Sequence, residues 1–401
     1  MAQGLIKKQN ILGVSSLWTG AYPFFFEGNE ISKGMPAFNN VFLRLLDDER
    51  VDKFYLFLID KKPNKPLNIP AKYKNKIVIH LFDYNSSNRF LSIFLFLKII
   101  IKGTSIVKSK KVTQILGFGS LAGLSAIIGK ITSIPDFRRL YGSFLINEIH
   151  LSNFNLFIKH PLEYLCFYLS GKGLMITNDG TKGDLVFKKI GNKTLPFYFM
   201  LNGVDDKIRE NLVKPNFELP SSFISYAARV NDWKRQHLLV EALGILKRER
   251  KNFPKAIIIG SLHDKKYVLY LKNLIKELNL EEEVILVGGL KISEVHYILQ
   301  KSLITYSLYH TSNLGNVFLE SIKLGAPVIA LNDTDSLDLI DKDAFFELRN
   351  GQPQLIADAT LKLLLNEDQR MKLSENAILF ADNNLTSWNQ RSNYEIDIVL
   401  N

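Results

Sequence analysis

Apolar positions along this chain fall into short dense runs separated by stretches with helical spacing. In the first half, β-rich runs occupy residues 11–17, 53–59, 76–82, 112–118, 137–142, 174–178 and 197–202. Helical spacing occupies 37–46, 90–101, 121–131, 161–169 and 182–190. The pattern then restarts. Strand-like runs at 222–227, 255–259, 283–287, 303–308 and 327–331 alternate with helical stretches at 237–247, 266–278, 293–299 and 317–324. In the first of these helices Leu238, Leu239, Ala242, Leu243 and Leu246 define one apolar face. The last stretch, 367–400, reads as helix. Apolar strands alternating with helices predict parallel sheets covered on both faces. The restart predicts an α/β chain of two doubly wound, Rossmann-like domains. Their link lies near residues 202–220, where Asn202-Gly203 makes a turn and Pro215 and Pro220 break the chain. In such sheets ligands bind beyond the carboxyl ends of the strands, so the loops there are the places to look for chemistry.

Composition narrows the class. The chain has 401 residues, 46% hydrophobic and 23% charged, which excludes a disordered or fibrous protein. One cysteine excludes a disulfide framework, a cysteine zinc site and an iron–sulfur cluster. Cys166 sits in an apolar run and reads as a buried filler in a reducing compartment. Residues 1–10 are polar and basic, and the run after them ends at Trp18 without a small-residue cleavage site. No secretory leader is therefore expected. No run reaches the 18 or so apolar residues of a membrane span, and a cytoplasmic location is expected. The seven histidines are scattered without ligand spacing, and no metal is expected. Asp333 and Asp335 read as solvated loop rather than as a cation site.

Charge changes the picture further. The net charge is +11, but residues 1–200 carry +14 and residues 201–401 carry −3. A basic half points to nucleic acid, a phosphorylated substrate or the inner face of a membrane. No zinc-finger spacing, RNP-like aromatic motif or dense basic helix is present, so nucleic acid is not expected. A lysine-rich surface with no partner stays open. The run 90–101 follows Arg89 and precedes Lys102, Lys108, Lys110 and Lys111. It fits either a helix buried against a sheet or one lying in a membrane interface.

The candidate chemistry lies in the second half. Arg229 and Lys234 fall in the loop after a strand, where an Arg fork and a Lys point charge clamp a diphosphate. Residues 311–320 run from a strand into a helix. Gly315 there lets the backbone approach a ligand, and the N–H groups of Asn316 and Val317 open the helix as an anion site. Glu320, one turn further on, is placed to accept from a pair of ribose hydroxyls, although a lone helical Glu is commonly just solvated.

Three pieces resemble the retaining glycosyltransferases of family 4, which have the GT-B fold: two Rossmann-like domains facing across a cleft. Arg229, Trp233-Lys234-Arg235, Leu238 and Glu241-Ala242 resemble the family's donor clamp. Ser312-Asn313-Leu314-Gly315, Leu319-Glu320-Ser321 and 325–330 resemble its glutamate motif, and 201–205 its interdomain link. In the first half, 119–124 and 141–143 are similar more loosely, and Leu385-Thr386-Ser387-Trp388 resembles the family's C-terminal stretch. The resemblance implies an acceptor domain at 1–203, a donor domain at 204–380, and a helix at 381–401 returning to the first. It implies Arg229 and Lys234 on the donor diphosphate, as the catalytic cations, and Glu320 on the ribose. Asn316 and Val317 would touch phosphate, with Ser312 and Gly315 completing the donor loop. Gly34 would form a first-domain loop under the diphosphate, with Lys33 and Tyr141 on the acceptor side. Two departures stand out: Ser312 occupies the position of the family's first glutamate, and Tyr141 stands where many members have a histidine. The loop at Gly34 also lacks the family's double glycine.

The implied activity is metal-independent transfer of a sugar from a UDP- or GDP-sugar to a glycan or lipid-linked acceptor, with retention of configuration and no cofactor. The basic first half suggests surface-polysaccharide or glycolipid assembly with peripheral membrane contact. Alternatives are a non-catalytic binding or scaffold protein of the same fold, a sugar-nucleotide epimerase, or a phosphorylase.

Overall fold

The computed structural model describes residues 8–18, 20–29, 36–60, 66–84 and 89–401. The chain divides into two compact units, Met1–Leu201 with Trp388–Asn401, and Asn202–Ser387. Both are parallel α/β sheets of the expected doubly wound kind.

The first unit runs β1 (Gln9–Ser16), α1 (Pro36–Asp47), β2 (Val51–Asp60), β3 (Ile77–Asp83), α2 (Arg89–Ser109), β4 (Gln114–Phe118), α3 (Ala122–Thr132) and β5 (Asp136–Leu140). It continues with α4 (Asn153–Lys159), α5 (Pro161–Tyr168), β6 (Gly173–Thr177), α6 (Gly183–Ile190) and β7 (Phe197–Met200). The strands lie in the order β3-β2-β1-β4-β5-β6-β7. Strands β4, β5 and β6 are buried along their whole length; β4 and β6 read as largely apolar runs, whereas β5 carries Asp136, Arg138 and Arg139, which are paired within the core.

The second unit runs β8 (Phe223–Ala227), α7 (Gln236–Arg248), β9 (Lys255–Ile259), α8 (Lys265–Glu277), β10 (Val284–Leu286), α9 (Ile292–Lys301), β11 (Thr305–Ser307), α10 (Asn316–Leu324) and β12 (Val328–Leu331). Then come β13 (Phe346–Leu348), α11 (Pro353–Leu365) and α12 (Glu367–Asn384). Its strand order is β10-β9-β8-β11-β12-β13. The order reverses between β8 and β11, which pair in parallel at Ser225 and Thr305. Such a reversal opens a crevice at the carboxyl ends of the two strands.

The chain then forms α13 (Trp388–Leu400), which belongs to the first unit. The stretch 367–400, read as helical, is two helices, α12 and α13. Residues 385–387 break it, and Ser387 forms a bridge with Val204. Three elements escape the apolar pattern: α4, α11 and β13. β13 is only three residues long and has a glutamate at its centre.

Helix α2, over the run 90–101 and beyond, has one face in the core and one exposed face. Ile99, Ile106 and Val107 are buried in the first unit's core, while Ile93, Phe94, Leu97 and Ile101 are exposed. Among the described residues no helix is long and apolar enough to cross a membrane.

Candidate functional site

Two loops of the second unit flank the reversal in strand order: the one after β8 and the one after β11. The first begins as an extended continuation of β8, with Ala228 N–H donating to Ile259 O at 2.9 Å and Val230 N–H to Ser261 O at 3.1 Å. Gly260 allows this approach, since a Cβ there would lie 1.7 Å from Ala228 O. Gln236 Nε2 donates to Arg229 O at 2.9 Å, which fixes the backbone beneath the Arg229 side chain. That side chain is exposed. The loop then tightens into a 3-10 turn, Asp232–Lys234, capped by Asn231 Oδ1, which accepts from Lys234 N–H at 3.1 Å.

The second loop is stitched to the first. Trp233 Nε1 donates to Thr311 Oγ1 at 2.8 Å, and His310 N–H donates to Trp233 O at 3.1 Å. The Tyr226 hydroxyl, on β8, donates to Lys234 O and accepts from Leu308 N–H at 3.1 Å. The Tyr309 hydroxyl returns the link by donating to Ala227 O at 3.2 Å. Both phenols are buried and stack with ring centroids 6.1 Å apart. Burial raises both pKa values well above the ordinary tyrosine value, so both remain protonated donors. For Tyr309 the charge of Glu320 adds to the rise.

Lys234 therefore has a fixed place. Its Nζ lies 3.5 Å from the Tyr309 ring centroid and 5.1 Å from that of Trp233. A ring face attracts the ammonium and sets its direction without neutralising it. Its neighbour Arg235 instead faces a carboxylate, Asp333, at 3.8 Å.

Beyond Thr311 the chain passes through Ser312, a buried residue at φ 61°. A non-glycine residue in the left-handed region costs on the order of 1–3 kcal/mol and is concentrated at functional loops. Asn313, fully buried, donates to Leu331 O at 2.9 Å and ties the loop to β12. Gly315 then caps α10 with no side chain of its own. Asn316 Oδ1 accepts from Asn202 Nδ2 at 2.6 Å, and Val317 O accepts from Ser321 Oγ at 2.7 Å. Glu320 is buried, with Oε2 3.2 Å from His296 Nε2. It is thus a held carboxylate rather than a solvated one.

Arg229, Lys234, Ser312, Gly315, Asn316, Val317 and Glu320 all stand on these two linked loops and the helix they open. Lys234 lies over the Tyr309 ring, and Glu320 lies beside His296. Lys33 and Gly34 lie outside the described residues. Tyr141 belongs to the first unit, one residue beyond β5. Its ring stacks on Phe38 with centroids 5.1 Å apart, and the Arg139 guanidinium carbon lies 4.5 Å from its centroid. Its buried hydroxyl has no hydrogen-bond partner among the described residues, and burial raises its pKa. Asp333 and Asp335 are paired with Arg235 and Arg349.

Sequence reasoning missed Tyr226, Tyr309 and His296 as parts of this arrangement, and had Trp233 only as a member of the clamp motif. Tyr309 had a signal, an aromatic just past a strand end. His296 had none, because its proximity to Glu320 arises only from the packing of α9 on α10.

An exposed guanidinium, an ammonium over a ring face and a glycine-opened helix start are groups that can hold an anion, and a buried carboxylate on the same helix can accept from hydroxyls.

Residues 207–380 match the family described as Glycosyl transferases group 1. The group 1 match includes both loops and every strand from β8 to β13. Comparison with curated proteins found no match. Among solved structures, HepE of Anabaena in complex with UDP and glucose superposes with a TM-score of 0.67 at 16% identity. The superposition covers 97% of this chain and 99% of that one. WaaG, a glycosyltransferase involved in lipopolysaccharide biosynthesis, gives 0.68 at 14% identity, covering 97% and 99%. A UDP-N-acetylglucosamine 2-epimerase gives a lower 0.56 at 13%, covering 97% and 95%. The fold is that of the GT-B glycosyltransferases.

Proposed function

We propose that this chain is a retaining glycosyltransferase of family 4. It takes a sugar from a nucleotide-diphosphate sugar and gives it to a glycan or lipid-linked acceptor in cell-surface polysaccharide or glycolipid assembly. One observation carries the reading: a cation loop and a glycine-opened helix are locked together at the strand-order reversal of a unit that matches group 1 glycosyl transferases. The complexes of HepE with UDP, glucose and UDP-glucose favour a UDP-sugar as donor.

The residues take the following roles. Arg229 and Lys234 hold the donor diphosphate, with the N–H groups of Asn316 and Val317 on its oxygens. Glu320, steadied by His296, accepts from the ribose hydroxyls. The bond from the sugar's anomeric carbon to the diphosphate oxygen breaks, and that oxygen takes up the electron pair. The acceptor hydroxyl attacks the same face, and its proton passes to the departing diphosphate. Cations and N–H groups fixed in advance stabilise the growing charge without reorganising, so they act on the transition state more than on the bound donor. Ser312, in place of a carboxylate, contacts the transferred sugar by hydrogen bonding. Tyr141 stands on the acceptor side. The basic first unit brings the protein to an anionic membrane carrying the acceptor.

The test is thermal unfolding of the purified protein against UDP, GDP, their sugars and other nucleoside diphosphates. One nucleotide should raise the midpoint by the equivalent of about 3 kcal/mol at hundredfold excess over Kd. The shift should be lost in Lys234→Ala and Glu320→Gln. A shift that survives both substitutions removes the assignment of these residues.

A further inference from the structure

We infer that the outward face of α2 is the docking surface for a bilayer of anionic lipid. The inference rests on the proposed membrane contact and gives it a surface and a lipid class. Residues 84–135 contain Arg89, Lys98, Lys102, Lys108, Lys110, Lys111 and Lys130, and no Asp or Glu. Within that stretch α2 exposes large apolar side chains: Ile93 at 55%, Phe94 at 69%, Leu97 at 50% and Ile101 at 70%. Their spacing puts them on one stripe of the helix. Ile99, Ile106 and Val107, on the other side, are buried against the sheet, so the helix is held and the stripe cannot turn inward. Lys98 and Lys102 are exposed one turn apart along one flank of the stripe.

This arrangement suits a membrane interface. The stripe enters the boundary between headgroups and acyl chains, while the lysines extend their stems to lipid phosphates. No carboxylate lies within the stretch, and the one acidic side chain lining the groove beside the stripe, Asp83, is outnumbered there by Lys98 and Lys102. A second copy of this chain fits poorly, because a two-fold contact through the stripe would bring the same lysines together. Nucleic acid fits poorly too, since the centre of the face is a stripe of exposed aliphatic and aromatic side chains.

The full chain is tested by sedimentation with phosphatidylcholine vesicles with and without phosphatidylglycerol. The wild type should bind the vesicles that contain phosphatidylglycerol and release them as salt rises. Replacing Lys98→Ala with Lys102→Ala should weaken binding roughly tenfold or more, from about 1 kcal/mol per lysine near the surface. Replacing Phe94→Ser with Leu97→Ser should weaken it at least about tenfold through lost apolar burial. All four side chains are exposed, so the unfolding midpoint should stay put. Equal binding to both vesicles, or binding to neither, overturns the inference. So does wild-type binding by both double variants, or self-association that disappears in Phe94→Ser with Leu97→Ser. The nucleotide-dependent midpoint shift, read on the same samples, separates this from the donor site: an intact shift with no vesicle binding overturns the docking surface alone.

Discussion

The arginines of β5, in the first unit, and Arg229, in the loop after β8, are alike as residues at or near strand ends, yet they do opposite things. β5 carries Arg138 and Arg139 in succession, so they face opposite sides of the sheet. Arg138 has no exposed surface, and all five of its N–H groups have acceptors. Two go to Asp136 at 2.6 and 3.1 Å, and three go to the carbonyls of Cys166, Leu169 and Ser170 at 2.6–2.8 Å. Gly171 makes room, since a Cβ there would lie 2.6 Å from the guanidinium. Arg139 donates to Glu395 at 2.7 Å, and Arg391 donates to the same carboxylate at 2.9 Å, which ties α13 to the sheet. Arg138 is saturated, and Arg139 and Arg391 are buried and paired with Glu395, so none of the three faces a ligand. In the other unit, by contrast, Arg229 is exposed and Lys234 rests on aromatic rings. Arg229 is offered to a ligand because the loop holds its backbone, through Gln236, and leaves the side chain exposed.

Substitutions on the two sides should separate the roles. The largest effect on folding should come from Arg138→Ala. It strands a buried carboxylate and three carbonyls and should cost about 3–5 kcal/mol by denaturant unfolding, or prevent expression. A loss under about 1 kcal/mol would mean that Arg138 is not the saturated hub described. Arg229→Ala should do the reverse, changing stability by less than about 0.5 kcal/mol while lowering kcat by roughly a hundred- to a thousandfold. Unchanged turnover there would break the comparison at its functional end.

The smallest effect concerns Asp382, where a carboxylate is again shared by two cations, this time near the surface. Arg209 and then Lys323 hold its pKa below the usual carboxylate value, with contacts of 3.1 and 2.7 Å. A lowered folded pKa stabilises above the unfolded carboxylate pKa, and the contribution is lost as pH falls through the lowered value. The side chain is 43% exposed, so solvent screening keeps the effect small. Asp382→Asn should cost under about 1 kcal/mol at neutral pH and nothing at low pH. An equal cost at both pH values would show that the charge is not what matters.

The sequence by itself determined the sheets. Strand and helix signals are local, and most strands buried on both faces are largely apolar along their length, β5 being the exception that pairs its buried charges. The two loops could be located for the same reason, because they follow strands, and Gly315 and Glu320 are spaced along one helix. Only the tertiary structure decided which charges are structural and which are offered to a ligand. Arg139 meets Glu395 across 256 residues, and His296 meets Glu320 from a different helix. Periodicity carries no information about such partners, because a guanidinium is satisfied by whatever packing brings near it. The same holds for α2, whose pattern is apolar nearly all round: only its packing on the sheet shows which side is core and which faces outward.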